Sequence, residues 1–179
     1  LMSFRPPSQV SATTGSDLTV TGARPEHLGA VIDKLRESRV EVKVRDGALR
    51  VKPKRSLRPV DVTTLPYPGF PTDLQAQMMT VMTLTPGISI ITEKIYPDRF
   101  MHVAELGRLG AQIKLEGASA IVQGTKRLMG APVMASDLRA SAALVLAALA
   151  AKGRSEVARI YHLDRGYDRI DEKLIKLGA

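Results

Sequence analysis

The chain has 179 residues, a formal net charge of +8 and a pI of about 10.0. That length supports one domain with a real hydrophobic core, and the absence of cysteine removes disulfides, thiolate chemistry and cysteine-based zinc sites. Aromatics make up 4% of residues and tryptophan is absent, which argues against a base-stacking nucleic-acid module, while the positive charge favours an anionic partner: a nucleic acid, a membrane or a phosphorylated metabolite.

The opening Leu1 to Thr14 contains Ser, Thr, Pro and Arg5 but no acid, and reads as a divergent N-terminal segment. Leu1 stands where an initiator Met is expected, and the chain stops at Leu177-Gly178-Ala179 just where a strand is due, so both ends read as cut. Leu18-Thr19-Val20-Thr21 alternates like a strand, and Gly22 ends it. Pro25 suits a helix start, and Leu28, Val31, Ile32 and Leu35 follow helical spacing. Val40 to Val44 alternates with charge, Asp46-Gly47 is a hairpin turn, and Leu49 and Val51 continue the return strand. The run Lys52 to Pro59 reads as a basic loop with a solvated surface.

Next comes the stretch Pro66-Tyr67-Pro68-Gly69-Phe70-Pro71, held out of regular structure by its prolines and glycine. Thr72 reads as a helix N-cap with Gln75 as its capping-box partner, and Met78, Met79, Val81, Met82 and Leu84 form the apolar helix body. Asp73 then lies in the first turn, where the helix dipole favours a carboxylate. A rigid loop would hold it there as a general base or hydroxyl-orienting group; an Asp that serves only the dipole fits the local pattern as well. After Pro86-Gly87 a strand runs through Ile88 to Ile91 and ends in Lys94-Ile95-Tyr96-Pro97-Asp98-Arg99. A short helix carries Met101, Val103, Leu106 and Leu109, and strands Gln112 to Leu115 and Ala120 to Gln123 pair around Glu116-Gly117. Ser136 reads as the cap of a long Ala/Leu helix opening Asp137-Leu138-Arg139. Its apolar run, Ala142 to Ala151, is too short to span a bilayer. Gly153 ends that helix, Glu156 to Ile160 reads as a strand, and His162-Leu163-Asp164-Arg165-Gly166 leads into a final helix with Ile170, Leu174 and Leu177.

Two passages repeat. Thr72-Asp73-Leu74-Gln75-Ala76 parallels Ser136-Asp137-Leu138-Arg139-Ala140, and Lys94 to Arg99 parallels Arg159 to Arg165 with one extra residue. Helices ending Leu109-Gly110-Ala111 and Leu177-Gly178-Ala179 follow them, and Gly15 to Val51 matches the later part of the unit more faintly. This predicts about three repeats of roughly 65 residues, the last truncated before its hairpin, around a pseudo-threefold axis with helices inside and sheets outside. A capped Asp and an Asp-Arg pair recur at matching ends of the units, which adds weight to a chemical role for Asp73.

Four motifs then stand in one order: Phe70-Pro71-Thr72-Asp73-Leu74-Gln75-Ala76-Gln77, Arg99-Phe100-Met101-His102-Val103, Asp137-Leu138-Arg139-Ala140-Ser141 and Ile160-Tyr161-His162-Leu163-Asp164-Arg165-Gly166-Tyr167. Together they resemble the UDP-N-acetylglucosamine enolpyruvyl transferases, over about residues 15–179. The resemblance implies an α/β (α+β) fold, the inside-out α/β barrel lobe of that family, with residues 15–179 as its C-terminal lobe and residues 1–14 as a divergent segment. It implies transfer of the enolpyruvyl group of phosphoenolpyruvate to the 3-hydroxyl of UDP-N-acetylglucosamine with release of phosphate, the first committed step of peptidoglycan synthesis, in the bacterial cytoplasm. By matching motif, Asp73 corresponds to the carboxylate that contacts that hydroxyl and is the candidate base. Ile95 corresponds to a backbone contact to the UDP-sugar, Arg165 to an arginine that binds phosphoenolpyruvate, and Arg99 and Arg139 to arginines near the cleft. Guanidinium groups suit the phosphate, carboxylate and diphosphate of these substrates.

The resemblance also implies that the family's N-terminal lobe is a required partner, that the isolated chain is inactive, and that no cofactor, metal, nucleic acid or membrane takes part. The family's lysine-asparagine pair and its cysteine- or aspartate-bearing loop belong to that other lobe, in keeping with the absence of cysteine here. Lys94, Pro97 and Asp98 depart from the family's usual residues before the arginine. His27 reads as helix surface, and His102 and His162 are assigned structural hydrogen bonds; the three are too scattered for a metal site. An alternative for Arg139 is a salt bridge to a neighbouring acid. For the whole chain, the alternatives are a shikimate 3-phosphate enolpyruvyl transferase, or a non-catalytic basic domain that binds anions or RNA.

Overall fold

A repeated connection order runs through the sheets of this protein, seen in a computed structural model that describes residues 14–45, 47–54 and 56–176. Strand β1 (Leu18–Thr21) leads through a 3-10 turn at Pro25–His27 into helix α1 (Gly29–Glu37), then the hairpin β2 (Val40–Arg45) and β3 (Ala48–Pro53). The antiparallel order is β1-β3-β2. Alternation aims Val40, Val42, Leu49 and Val51 inward, where they meet Val31, Ile32 and Leu35 of α1, as the spacing predicts. The opposite face carries Glu41, Lys43, Arg50 and Lys52, which line a charged dent; Lys43 pairs with Glu41, and Arg50 and Lys52 pair with Asp17. Arg50 forks onto Asp17 at 3.0 and 2.7 Å and holds that carboxyl below the usual range. Lys52 belongs to β3, so the expected basic loop begins later. The turn residue Asp46, Arg55 of that loop, the segment before Thr14 and the terminal Leu177 lie outside the described residues.

The second sheet contains β4 (Val62–Thr63), β5 (Ile88–Thr92), β6 (Gln112–Glu116) and β7 (Ser119–Gln123) in the order β4-β5-β7-β6. Its β5-β7-β6 part repeats the β1-β3-β2 connection, with α3 (His102–Arg108) in the place of α1. Two parallel pairs, β4 with β5 and β8 (Pro132–Met134) with β9 (Glu156–Ala158), are bridged by α2 (Gln75–Thr83) and α4 (Leu138–Ala150). Helices α5 (Tyr161–Asp164) and α6 (Ile170–Lys176) close the chain. β4 and β8 are too short to announce themselves by alternation. The strand expected through Ile160 stops at Ala158, because Arg159 turns to a φ of 59° and Ile160 occupies the cap position of α5.

Helix α2 is buried along all nine of its residues. Such burial requires its hydroxyls to be satisfied internally. Thr80 donates to the carbonyls of Ala76 and Ala143, at 3.2 and 3.3 Å, and Thr83 donates to that of Thr80 at 2.7 Å. The Thr80–Ala143 contact joins α2 to α4, whose Ala140, Ala143 and Ala147 are small enough to let the two backbones approach. At the far end, a Cβ on Gly124 would stand 1.7 Å from the Thr85 carbonyl oxygen, so only glycine fits there.

His102, at the start of α3, is buried, and its Nε2 has no hydrogen-bond partner. Burial disfavours the imidazolium and lowers its pKa from 6.5 to about 4, with the charge of Asp137 pulling the other way. Between those values the unfolded chain binds a proton that the folded chain refuses. The stability from the neutral ring is therefore complete above pH 6.5 and is lost as pH falls towards 4. The cost is about 3 kcal/mol across that window, at 1.36 kcal/mol per unit. Urea unfolding of His102→Gln should show a flatter pH dependence between pH 4 and 6.5 than the unsubstituted protein; parallel curves would remove His102 as the titrating group.

Candidate functional site

A buried carboxylate, Glu93, lies just beyond the end of β5. Its Oε1 accepts hydrogen bonds from the Thr64 hydroxyl and from the backbone N–H groups of Ile95 and Tyr96, at 2.5, 2.8 and 3.1 Å. Its Oε2 accepts the Thr72 hydroxyl at 2.8 Å. One side chain thereby ties the end of β4, the turn before α2 and the loop after β5 to one another. In that turn the Leu65 N–H bonds to the Phe70 carbonyl at 3.0 Å, and the Phe70 ring is buried, so the proline-rich stretch is pinned at both ends.

The capping box expected of Thr72 and Gln75 does not form. Pro71 occupies the cap position of a 3-10 turn at Thr72–Leu74 that runs straight into α2, and no side chain caps it. The Thr72 hydroxyl points across the site instead, and both amide atoms of Gln75 are buried without partners. At α4 the cap is Asp137, not Ser136: its Oδ1 accepts the N–H groups of Arg139 and Ala140 at 2.7 and 3.0 Å. The two aspartates that match in sequence therefore have different duties. Asp137 is consumed by its helix, and Asp73 is left for other partners.

Those partners are arginines. Oδ1 of Asp73 accepts Arg139 Nε at 2.8 Å and Arg99 Nη1 at 3.3 Å. Arg99 Nη1 also donates to the Thr72 hydroxyl at 2.9 Å, and its guanidinium lies over the Tyr96 ring, 4.1 Å from the centroid. Asp73 stays 54% exposed, against 36% for Arg139 and 19% for Arg99, so an incoming group can reach the acid while the cations are braced from behind. The Asp73 hydrogen bond, more than the charges around it, holds the Arg139 pKa above its ordinary value. The salt bridge considered for Arg139 exists, and its partner is the candidate base itself.

Tyr167 completes this wall. Burial lifts its phenol above the usual range, the Asp73 charge adds to the lift, and a hydrogen bond to Gln77 and the charge of Arg139 oppose it. A Cβ on Gly166 would lie 2.7 Å from a Leu138 methyl, which places the segment carrying Arg165 and Tyr167 against the start of α4. Arg165 ends α5 with an exposed side chain beside that contact. Ile95 is half-buried, and its N–H is taken by Glu93. The arrangement brings Asp73, Arg99 and Arg139 into direct contact, with Ile95 and Arg165 carried on the two flanking loops. Glu93 lies outside the four motifs, and Thr72 and Tyr167, though inside them, had no site role in the motif reading. The one signal for Glu93 was an acid immediately after an apolar strand, where burial is expected. Among the described residues no cluster of acids and histidines could hold a metal, and no described helix is long and apolar enough to cross a membrane.

The chain has known relatives. Residues 8–174 match the family model described as EPSP synthase (3-phosphoshikimate 1-carboxyvinyltransferase). The chain is 60% identical over 168 residues to a UDP-N-acetylglucosamine 1-carboxyvinyltransferase of an Anaeromyxobacter species, covering 94% of this chain and 40% of that protein. A protein of the same name from Magnetococcus marinus is 55% identical over 170 residues, covering 94% and 41%. The chain thus spans about 40% of the length of the curated relatives it matches. Among solved structures, the enolpyruvyl transferase NikO from Streptomyces tendae superposes with a TM-score of 0.87 at 31% identity, covering 96% of this chain and 42% of that one. An EPSP synthase from Acinetobacter baumannii shares the fold, with a TM-score of 0.63 at 16% identity over 86% of this chain and 38% of its own.

The division of labour between the aspartates is measurable by urea denaturation. Asp137→Ala should cost about 1–2 kcal/mol, the usual loss for an N-cap. Asp73→Ala, which removes only partly exposed ion pairs, should cost under about 1 kcal/mol. Equal losses would contradict the division.

Proposed function

Because the chain belongs to the EPSP synthase family, a family of carboxyvinyl transferases, we propose that it forms the C-terminal lobe of an enzyme acting on UDP-N-acetylglucosamine. In this reading the lobe is one wall of a cleft in which the enolpyruvyl group of phosphoenolpyruvate passes to the sugar 3-hydroxyl and phosphate leaves. The observation that carries it is the half-exposed Asp73 carboxylate joined through one oxygen to two guanidinium groups.

Asp73 takes the proton of the sugar hydroxyl as its oxygen bonds to the central carbon of phosphoenolpyruvate. The methylene carbon gains a proton from an acid on the opposite wall. The carbon–phosphate oxygen bond then breaks, the new methyl group gives up a proton, and the enol ether forms. Arg99 and Arg139 hold Asp73 in place and stabilise negative charge that collects on the donor. Arg165 takes an oxyanion of phosphoenolpyruvate, and the Ile95 backbone meets the sugar nucleotide through its carbonyl, since its N–H is committed to Glu93. The reading calls on no metal or cofactor, and the chain's partners are the two substrates and the N-terminal lobe rather than a nucleic acid or a membrane.

The finer architecture belongs to the same proposal: residues 15–179 as three repeats around a pseudo-threefold axis, an inside-out barrel lobe preceded by the divergent segment 1–14. The shared β1-β3-β2 and β5-β7-β6 order and the buried α2–α4 pair support it. The same proposal puts the reaction at the entry to peptidoglycan synthesis, in the cytoplasm of a bacterium; the bacterial origin and printed names of the relatives support it. The family model's own description supports a second acceptor, shikimate 3-phosphate. The much higher identity to UDP-sugar enzymes favours the first. Competition binding with the two acceptors separates them.

Phosphate release from phosphoenolpyruvate and UDP-N-acetylglucosamine should be negligible with this chain alone and should appear when the N-terminal lobe of a close relative is supplied. Robust turnover by the isolated chain would overturn the split-cleft reading. In the complemented assay Asp73→Asn should lower kcat by about 10²–10⁴-fold, the range for a lost general base, with sugar-nucleotide affinity little changed. An unchanged rate would remove Asp73 from the chemistry.

A further inference from the structure

We propose that Glu93 is the positioning residue of this cleft: it draws the Thr72 hydroxyl proton to itself, so that the Thr72 oxygen receives Arg99 and aims that guanidinium at Asp73. The proposal deepens the functional reading above, and its catalytic consequence rests on that reading. The hydrogen-bond relay does not.

Each proton in the relay has a forced direction. The Thr72 oxygen stands 2.9 Å from Arg99 Nη1, which can only donate, and 2.8 Å from Glu93 Oε2. Its own proton must therefore go to Glu93. The Thr64 oxygen accepts the Lys94 N–H at 2.9 Å, so its proton also goes to Glu93. With the Ile95 and Tyr96 N–H groups, the buried carboxylate collects four donors, and none of them is a cation. Through Thr72 the carboxylate is linked to the positive charge of Arg99. A chain of this kind, with each bond polarising the next away from water, is stronger than its parts.

The side chain's importance lies in what it joins. The 72–74 turn carries Asp73, and the 94–99 loop carries Ile95 and Arg99. Among the described residues, Glu93 is the single side chain that bonds to both segments and to the end of β4. A glutamine of the same shape does not reproduce the relay. With its oxygen on the three donors at the Oε1 position, its NH₂ faces the Thr72 oxygen as a second donor beside Arg99, so the Thr72 proton loses its acceptor and the negative charge is gone. Displacing a substrate-positioning group by about 1 Å can cost on the order of 100-fold in rate.

The test uses the ¹⁵N-labelled chain with Thr72→Val, Thr72→Ser and Glu93→Gln. Thr72→Val should speed hydrogen exchange at the Arg99 guanidinium at least about tenfold while sparing the Ile95 and Tyr96 amides. Thr72→Ser should restore the original rates, and Glu93→Gln should speed exchange at Arg99 while the Ile95 and Tyr96 amides, still accepted by the glutamine oxygen, change less. If Glu93→Gln does not fold, the two Thr72 variants decide the matter alone. Arg99 exchange unaffected by Thr72→Val would sink the relay. In the lobe-complemented assay Thr72→Val should lose about 10–100-fold in kcat/KM, with recovery by Thr72→Ser to within a few-fold. Loss in Val without recovery in Ser would assign Thr72 a merely structural role and overturn the proposal. If the unsubstituted protein shows no turnover, the functional reading falls, and the exchange data still decide the relay.

Discussion

A single buried negative charge sets the geometry of this surface. A carboxylate removed from water is costly unless donors surround it, and Glu93 meets that condition with two hydroxyls and two backbone N–H groups. Meeting it fixes where three separate stretches of chain must be. The end of β4, the turn before α2 and the loop after β5 cannot move independently without leaving a donor or an oxygen unpaired. The groups that face outward from these stretches, Asp73, Arg99 and the Ile95 backbone, inherit that rigidity.

Behind this junction lies the α2–α4 pair. Both helices are covered on nearly every side, and their contact is made close by alanines and by a threonine hydroxyl that donates to a neighbouring helix carbonyl. Strands β5 and β7 pack against α2, and β9 packs against α4. The candidate site forms where both helices begin: Asp73 sits in the turn leading into α2, Arg139 in the first turn of α4, and Tyr167 on the loop that packs against the start of α4. Helix starts are natural places for such groups, because their unpaired N–H groups favour negative charge. The arginines keep a balance there, since Asp73 and any anionic ligand draw on the same cations.

The matched passages around Asp73 and Asp137 show how a duplicated motif can divide its duties. At Asp137 the backbone enters the helix in an extended conformation, and the carboxylate folds back onto two N–H groups. At Asp73 a proline holds the extended cap position two residues earlier, so the acid falls inside a 3-10 turn and projects outward. A two-residue shift in the register of the cap thus separates a carboxylate spent on its helix from one left for other partners.

Much of this was legible in the chain itself. The alternation of Val40–Val44 and Leu49–Val51, the helical spacing of Val31, Ile32 and Leu35, and the apolar content of α2 and α4 are local patterns, and each formed as its period requires. The motifs around Asp73, Arg99, Asp137 and Arg165 sufficed to place the chain in its family. Which residue caps each helix, the existence of β4 and β8, and the roles of Glu93, Thr72 and Tyr167 were decided only by the tertiary structure. The reason is distance along the chain. Arg99 and Arg139 reach Asp73 across 26 and 66 residues, and Glu93 reaches Thr64 across 29. Short windows encode periodicity, but the direction in which a polar side chain spends its hydrogen bonds depends on neighbours that only folding brings near.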